Sequence, residues 1–199
     1  MNRIRKLKSP LPPTIEKETN NRLSQITALF ASAVPDTTGP NAWRYQRQLS
    51  GAVQEFIEAL SFSHYLRTQT LISLEEVRGA LPGILVTGED YVMGLFDLTG
   101  EIMRFAVTLL SSSILTEGGG EGEKGEKGVR GLDEERAGIV VDLREMRSLF
   151  EALTVRYGMR ELGKKIEVMQ GSVEKVERAA YGILVRGSER PTGWMPELE

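Results

Sequence analysis

The sequence predicts an all-α fold, and three observations support this prediction. Over several long stretches apolar residues recur at steps of three and four, the spacing that places side chains on one face of a helix. The clearest of these stretches, from Val155 to Ile183, keeps the alternation throughout, as the seam of a helical bundle or coiled coil does. No comparable alternation with a period of two, which a half-buried strand would show, occurs anywhere in the chain.

Composition indicates a single domain. The 199 residues are enough for one sizeable core, and no shift in composition marks a second domain. We expect this domain to span 14–190, between a basic, proline-containing tail at 1–13 and a short tail at 191–199. The absence of cysteine excludes disulfides and thiolate metal sites, and no signal-peptide pattern is present, so an intracellular location is expected. A net charge of -3 argues against a generally basic nucleic-acid-binding surface.

Two helices are predicted in the first third of the chain. Thr14 is expected to cap the first helix, and the prolines at 35 and 40 end it. The second helix is expected from about Asn41 to Thr70, because this stretch contains no proline and only one glycine, Gly51, weakens it.

Two further helices are predicted before the middle of the chain. Ser73 and Glu76 have the spacing of a capping box for a short third helix, which Pro82 and Gly83 end. Residues 87–90 then begin a fourth, strongly apolar helix. This helix carries several charges and glycines, so the sequence favours a buried helix and not a membrane span.

An acidic, glycine-rich segment at 117–136 follows. It holds seven acids, four bases and seven glycines, and it cannot bury enough apolar area to offset the cost of chain ordering. We therefore predict a loop. After it, the stretch from Ile139 to Leu153 and the seam from Val155 to Ile183 predict two amphipathic helices, the second of which Gly187 is expected to end.

Two pairs of acids interrupt the apolar runs of the second and fourth helices. Glu55 and Glu58 are the only formal charges between 52 and 66, and Asp97 and Glu101 have a similar spacing in the fourth helix. We expect both helices to carry these acids toward the interior, where the four could share one pocket. Buried carboxylates need a cation.

The four acids support two readings. Oxygen ligands without cysteine favour Mg²⁺ or Mn²⁺, and a magnesium ion held by carboxylates and waters can promote phosphodiester hydrolysis. Alternatively, the acids pair with Arg47, Arg67 or Arg104 in a structural ion network, and the chain is a non-catalytic binding or scaffold subunit. A di-iron bundle is disfavoured, because His64 does not stand three residues after a glutamate.

Four segments of the sequence resemble a known family. They are 49–64 around Glu55 and Glu58, which reads Gln-Glu-Phe-Ile-Glu-Ala-Leu-Ser-Phe from Gln54, 68–76, 90–104 around the motif Asp-Leu-Thr-Gly-Glu, and a closing segment that comprises 175–181 and 185–189. Together they resemble the translin family, and within it the translin-associated factor X (TRAX) branch. The resemblance covers most of 41–190, apart from the glycine-rich loop.

The resemblance implies about seven helices and a hetero-oligomer with translin, usually an octamer. It also implies a cytoplasmic and nuclear, Mg²⁺-dependent endoribonuclease that cleaves single-stranded RNA, in small-RNA passenger-strand removal or tRNA-fragment processing, with single-stranded DNA as a further ligand. By position, Glu55, Glu58, Asp97 and Glu101 would be its catalytic and metal-binding acids. Arg104, beside them, is our candidate contact for an RNA phosphate, with a salt bridge to Asp97 or Glu101 as the alternative.

Overall fold

A computed structural model describes residues 11–115, 132, 134–153 and 161–189. Within these ranges the chain is helical and has no strand, which confirms the all-α prediction. The predicted tail at 191–199, residues 1–10 and most of the predicted loop lie outside the described residues. The described helices are α1 (Pro13–Ala33), α2 (Pro40–Thr68), α3 (Leu74–Ala80), α4 (Gly88–Leu115), α5 (Glu134–Glu151) and α6 (Leu162–Glu189), with a 3-10 turn (Val34–Asp36) after α1.

The ends of α2, α3 and α4 follow the signals in the sequence. In α3, the Ser73 hydroxyl accepts a 3.2 Å hydrogen bond from the Glu76 amide, and the Glu76 carboxylate accepts a 2.8 Å bond from the Ser73 amide. This is the predicted capping box. At the start of α4, the Thr87 hydroxyl accepts from the Asp90 amide at 3.0 Å.

Other helix ends differ from the prediction. Thr14 does not cap α1, which begins one residue earlier at Pro13, because proline is pre-organised for the first helical position and lacks the amide that would need a partner there. α5 begins at Glu134 and shortens the predicted loop, since acids are favourable at a helix N-terminus. It ends at Glu151, before Leu153. α6 continues through Gly187, which therefore does not end it.

α4 is the central helix of the described fold and packs against α2, α5 and α6. Its apolar residues are buried on several faces, and Leu98 and Ile102 are fully enclosed. α6 contributes the predicted seam, of which Met169, Val173 and Val176 are buried. Residues 155–160 of that seam lie outside the described ranges. None of the described helices is both long and apolar enough to cross a membrane.

α2 and α4 cross closely at Gly94. A Cβ atom at this position would lie 2.6 Å from Ile57 Cγ2 and 3.0 Å from the Gln54 carbonyl oxygen. Gly94→Ala should therefore lower the free energy of unfolding by about 1–3 kcal/mol, the usual cost of overpacking a core. Gly100→Ala is the matched control, because a Cβ there meets no atom within 4 Å, and it should stabilise α4 slightly. Urea unfolding measures both, and equal stabilities would contradict the close crossing.

A buried hydrogen bond links α2 to α5. The Tyr65 hydroxyl donates to Asp142 Oδ2 at 2.6 Å, and both residues are buried. Burial raises the pKa of Asp142 to about 6, although the hydrogen bond from Tyr65 acts in the opposite direction. The folded protein therefore favours the protonated carboxyl over the ionised one.

This raised pKa of Asp142 predicts a pH dependence of stability. The contribution of Asp142 is fully present below its unfolded pKa and is lost as pH rises toward 6, by up to about 3 kcal/mol. Asp142→Asn keeps the shape and the acceptor for Tyr65 but cannot ionise. The difference in unfolding free energy between the parent and Asp142→Asn should thus change between pH 4 and pH 7 in urea titrations. Parallel pH profiles would refute the prediction.

Candidate metal and nucleic-acid site

The packing of α2 on α4 brings Glu58 and Asp97 together. Glu58 is half-buried, and burial is the main cause that raises the pKa of its carboxyl, followed by the negative charges of Asp97 and Glu55. The positive charges of Arg104 and Lys165 act in the opposite direction and do not cancel the effect. We call Glu58 and Asp97 the acidic pair. Glu58 is partly desolvated, as the sequence predicted.

A lysine from the last described helix completes this site. Lys165 Nζ donates to Asp97 Oδ1 and joins the first turn of α6 to the middle of α4. Both side chains are about one third exposed, so solvent reaches the ion pair. The Lys165–Asp97 ion pair therefore neutralises part of the negative charge of the site while it remains accessible to solvent.

Glu55 and Glu101 lie at the edges of the site. Glu55 is exposed, against the prediction, and lines an apolar groove of about 540 Å³ between α1 and α2. Glu101 forms an ion pair with Arg104 on the same helix. The Arg104 side chain faces solvent, whereas Glu101 is no more exposed than Asp97. A charge that pairs at the surface keeps its hydration and need not be buried.

The four acids thus do not form one enclosed pocket. Among the described residues, no three acidic or histidine side chains are grouped closely enough to hold a metal ion as they stand. The structural ion network that the sequence also allowed is formed in part, by Arg104 with Glu101. Arg67 instead contacts α1, with a 2.8 Å hydrogen bond to Asn20.

The acidic pair still suits a magnesium ion that keeps most of its water ligands. Mg²⁺ often takes only one or two carboxylates from the protein and keeps several waters. Glu58 and Asp97 supply two hard oxygen ligands from two packed helices, and Glu55 adds negative charge nearby. The donor set suits Mg²⁺ or Mn²⁺ and does not suit a softer metal.

A buried carboxylate, Asp90, sets the register of the two helices that carry the acidic pair. It accepts hydrogen bonds from three α2 side chains, Ser50, Gln46 at 3.1 Å and Gln54 at 3.2 Å. From the start of its own helix, the Thr87 hydroxyl donates to it at 2.6 Å. Burial raises the pKa of Asp90, but these hydrogen bonds outweigh burial and hold it below its usual value.

This cluster of hydrogen bonds, the Asp90 clamp, lies close to the acidic pair along both helices. Glu58 follows Gln54 by one turn of α2, and Asp97 follows Asp90 by about two turns of α4. The clamp therefore fixes the position of α2 relative to α4 along the helix axes. This position determines which side chains of the two helices contact each other. From the sequence, Asp90 was predicted to lie at the start of the fourth helix, and its contacts with α2 were not predicted.

Comparisons with known proteins agree with this architecture. Residues 1–187 match the Translin family. Translin-associated protein X of Rattus norvegicus is 26% identical over 206 residues, which cover 91% of this chain and 64% of the rat protein. The Translin-associated protein X homolog of Schizosaccharomyces pombe is 29% identical over 184 residues, covering 91% of this chain and 70% of the yeast protein. The chain thus spans less than two thirds of the length of its rat relative. Because the family match extends over nearly the whole sequence, this chain belongs to the translin family.

Proposed function

We propose that this chain is the acid-bearing subunit of a hetero-oligomer with translin, and that it hydrolyses single-stranded RNA with Mg²⁺ or Mn²⁺. The proposal rests on the surroundings of the Glu58 carboxylate. Its carboxylate is half-buried beside two other acids, and among the described residues it has no hydrogen-bond or ion-pair partner. A divalent cation would relieve this concentration of negative charge.

Each residue of the site has a task in this proposal. Glu58 and Asp97 would hold the ion, which when bound supplies an activated water and neutralises charge on the phosphate. Glu58 would serve either as this ligand or as the base that accepts a proton from the attacking water, because a carboxylate that binds a cation is a weaker base. Glu55 would strengthen the negative field, and Glu101 would orient the guanidinium of Arg104.

The partner is supported by the exposed apolar surface. Large apolar side chains face solvent on α1 and α2 as well as on α5 and α6. The name of the rat relative, Translin-associated protein X, supports translin as the protein that would cover such a surface. The most exposed of these side chains are Leu29, Trp43, Val168 and Tyr181.

The proposal is tested by RNA cleavage with the purified chain mixed with translin. A single-stranded RNA should be cut in Mg²⁺ and left intact when the metal is chelated, while a fully paired duplex of the same sequence serves as the substrate control. Light scattering on the same sample reports whether the two chains assemble. Cleavage that persists in chelator would refute the metal-dependent mechanism.

Arg104 is the proposed phosphate contact of this site. Its guanidinium is 70% exposed and stands one turn beyond Glu101, beside the acidic pair. Arg104→Ala should weaken the binding of single-stranded RNA and reduce the slope of log affinity against log salt by about 1. Arg22→Ala is the matched control, since Arg22 is equally exposed and pairs with Glu18 within α1. Fluorescence anisotropy at several salt concentrations measures both, and identical slopes would exclude this role for Arg104.

A second function is favoured by the ion pairs themselves. Lys165 and Arg104 already neutralise Asp97 and Glu101, as they would in a scaffold subunit that binds nucleic acid or a partner without cleaving it. In that case the assembly with translin forms and binds RNA, but adding Mg²⁺ produces no cleavage. The cleavage experiment therefore separates the two functions.

A further inference from the structure

The first turn of α6 places Lys165 beside the acidic pair, and the proposed reaction assigns no role to this lysine. Its ammonium bonds Asp97 Oδ1, and its charge also acts on Glu58. It thus pairs with one of the two carboxylates that the proposed function assigns to a divalent ion and lies close enough to the other for its charge to act there. Both cations cannot hold this position at once without repelling each other.

We propose that Lys165 is the cation that a divalent metal displaces from the acidic pair, and that its released ammonium then contacts a phosphate of the RNA. This inference rests on the proposed function, because it requires the metal at Glu58 and Asp97. Lys165 would thus bind Asp97 before the metal ion binds and an RNA phosphate afterwards.

The surroundings of Lys165 suit such a displacement. Its side chain is 27% exposed and ends in a compact charge on a flexible stem, so the ammonium can turn toward solvent while the backbone stays in place. The backbone is held because Leu162 and Ile166, on either side in α6, pack against the core. A released ammonium therefore stays within a side-chain length of Asp97, where a phosphate drawn to the metal would lie.

The preceding residue offers a matched control. Lys164 carries the same charge but is exposed, and in a helix it points about 100° away from Lys165. Lys165→Gln removes the charge at the acidic pair, Lys165→Arg keeps it, and Lys164→Gln removes an equal charge from the neighbouring surface. All three are compared with the parent in the full chain assembled with translin.

The first measurement is Mn²⁺ binding without RNA, by electron paramagnetic resonance. Lys165→Gln should bind Mn²⁺ about tenfold more tightly than the parent, because the competing ammonium is gone. Lys165→Arg should bind no more tightly than the parent, and Lys164→Gln should stay within about twofold of it. Equal Mn²⁺ affinity of the parent and Lys165→Gln would overturn the inference.

The second measurement is RNA binding with and without Mn²⁺, using a hydrolysis-resistant single-stranded 2′-O-methyl phosphorothioate RNA. Lys165→Gln should weaken binding about fivefold when Mn²⁺ is present and leave it unchanged in chelator, where the parental ammonium is held by Asp97. An equal loss under both conditions would show that the ammonium is not released by metal, and would overturn the inference.

Failure of the proposed metal site and failure of the Lys165 displacement give different experimental results. If the parental assembly binds no Mn²⁺, the proposed function fails and the inference fails with it. If the parent binds Mn²⁺ and cleaves RNA but Lys165→Gln has the parental Mn²⁺ affinity, the inference alone fails. Thermal melting of each variant shows whether any change comes from loss of the fold.

Discussion

Glu58→Gln is expected to lower metal-dependent RNA cleavage by roughly 10²–10⁴-fold, the range that a positioned acid or base contributes to catalysis. The change keeps the shape of the side chain and removes the charge that would hold the ion or accept a proton. It should not destabilise the fold. Because the pKa of Glu58 is raised in the folded protein, its contribution to stability is lost as pH rises, so the ionised carboxylate is unfavourable at neutral pH and glutamine relieves it.

Glu167→Gln is the control for this experiment, because Glu167 is an exposed acid on α6. Cleavage rate, melting temperature and assembly mass are measured for the parent and both variants. Parental cleavage by Glu58→Gln would remove Glu58 from the mechanism. A large drop in melting temperature with unchanged cleavage would instead assign it a structural role.

Asp90→Ala is expected to lower the free energy of unfolding by about 3–5 kcal/mol, as the loss of one partner from a buried charged network does. Asp90 is 1% exposed, and removal of its carboxylate leaves the Ser50 hydroxyl and the Gln46 amide without their acceptor inside the α2–α4 contact, while the Gln54 amide keeps only its bond to Ser50 Oγ. Glu89→Ala is the control, because Glu89 is the exposed neighbour in the same first turn of α4. Urea unfolding at neutral pH measures both.

The Asp90 clamp also has a pH signature. Since the pKa of Asp90 is held below its usual value, the stability that it contributes is present above the unfolded pKa of about 4 and is lost as pH falls further. Asp90→Ala should therefore cost less at acidic pH than at neutral pH. A cost that is equally small for Asp90→Ala and Glu89→Ala would contradict the clamp.

The helices were predictable where the sequence marks their ends. A predicted capping box precedes α3, and Thr87 directly precedes α4, because these residues satisfy the free amides of the first helical turn. Helix α2 starts at Pro40, one residue before its predicted start. The start of α1 and the end of α6 were predicted wrongly. At the start of α1, both Pro13 and Thr14 are residue types that favour a helix start, and the helix begins at Pro13. At the end of α6, the helix continues through Gly187 at a cost of about 1 kcal/mol.

The candidate site was predictable only in part. The spacing of Glu55 and Glu58 leaves them about 60° apart around α2, and this is enough for one to face α4 while the other lines the groove toward α1. Which of the two is half-buried depends on where the neighbouring helices lie. Lys165 meets Asp97 across 68 residues of sequence, and no local periodicity reports such a contact.

The position of α6 in the chain has a consequence for biosynthesis. Glu58 on α2 and Asp97 on α4 leave the ribosome well before Lys165, which belongs to the last described helix. Until α6 docks on α4, both acids have been made, but Asp97 lacks the ammonium that pairs with it. This part of the charge compensation therefore comes with the late, long-range step of folding, and a nascent chain that stops before α6 carries the acids without it.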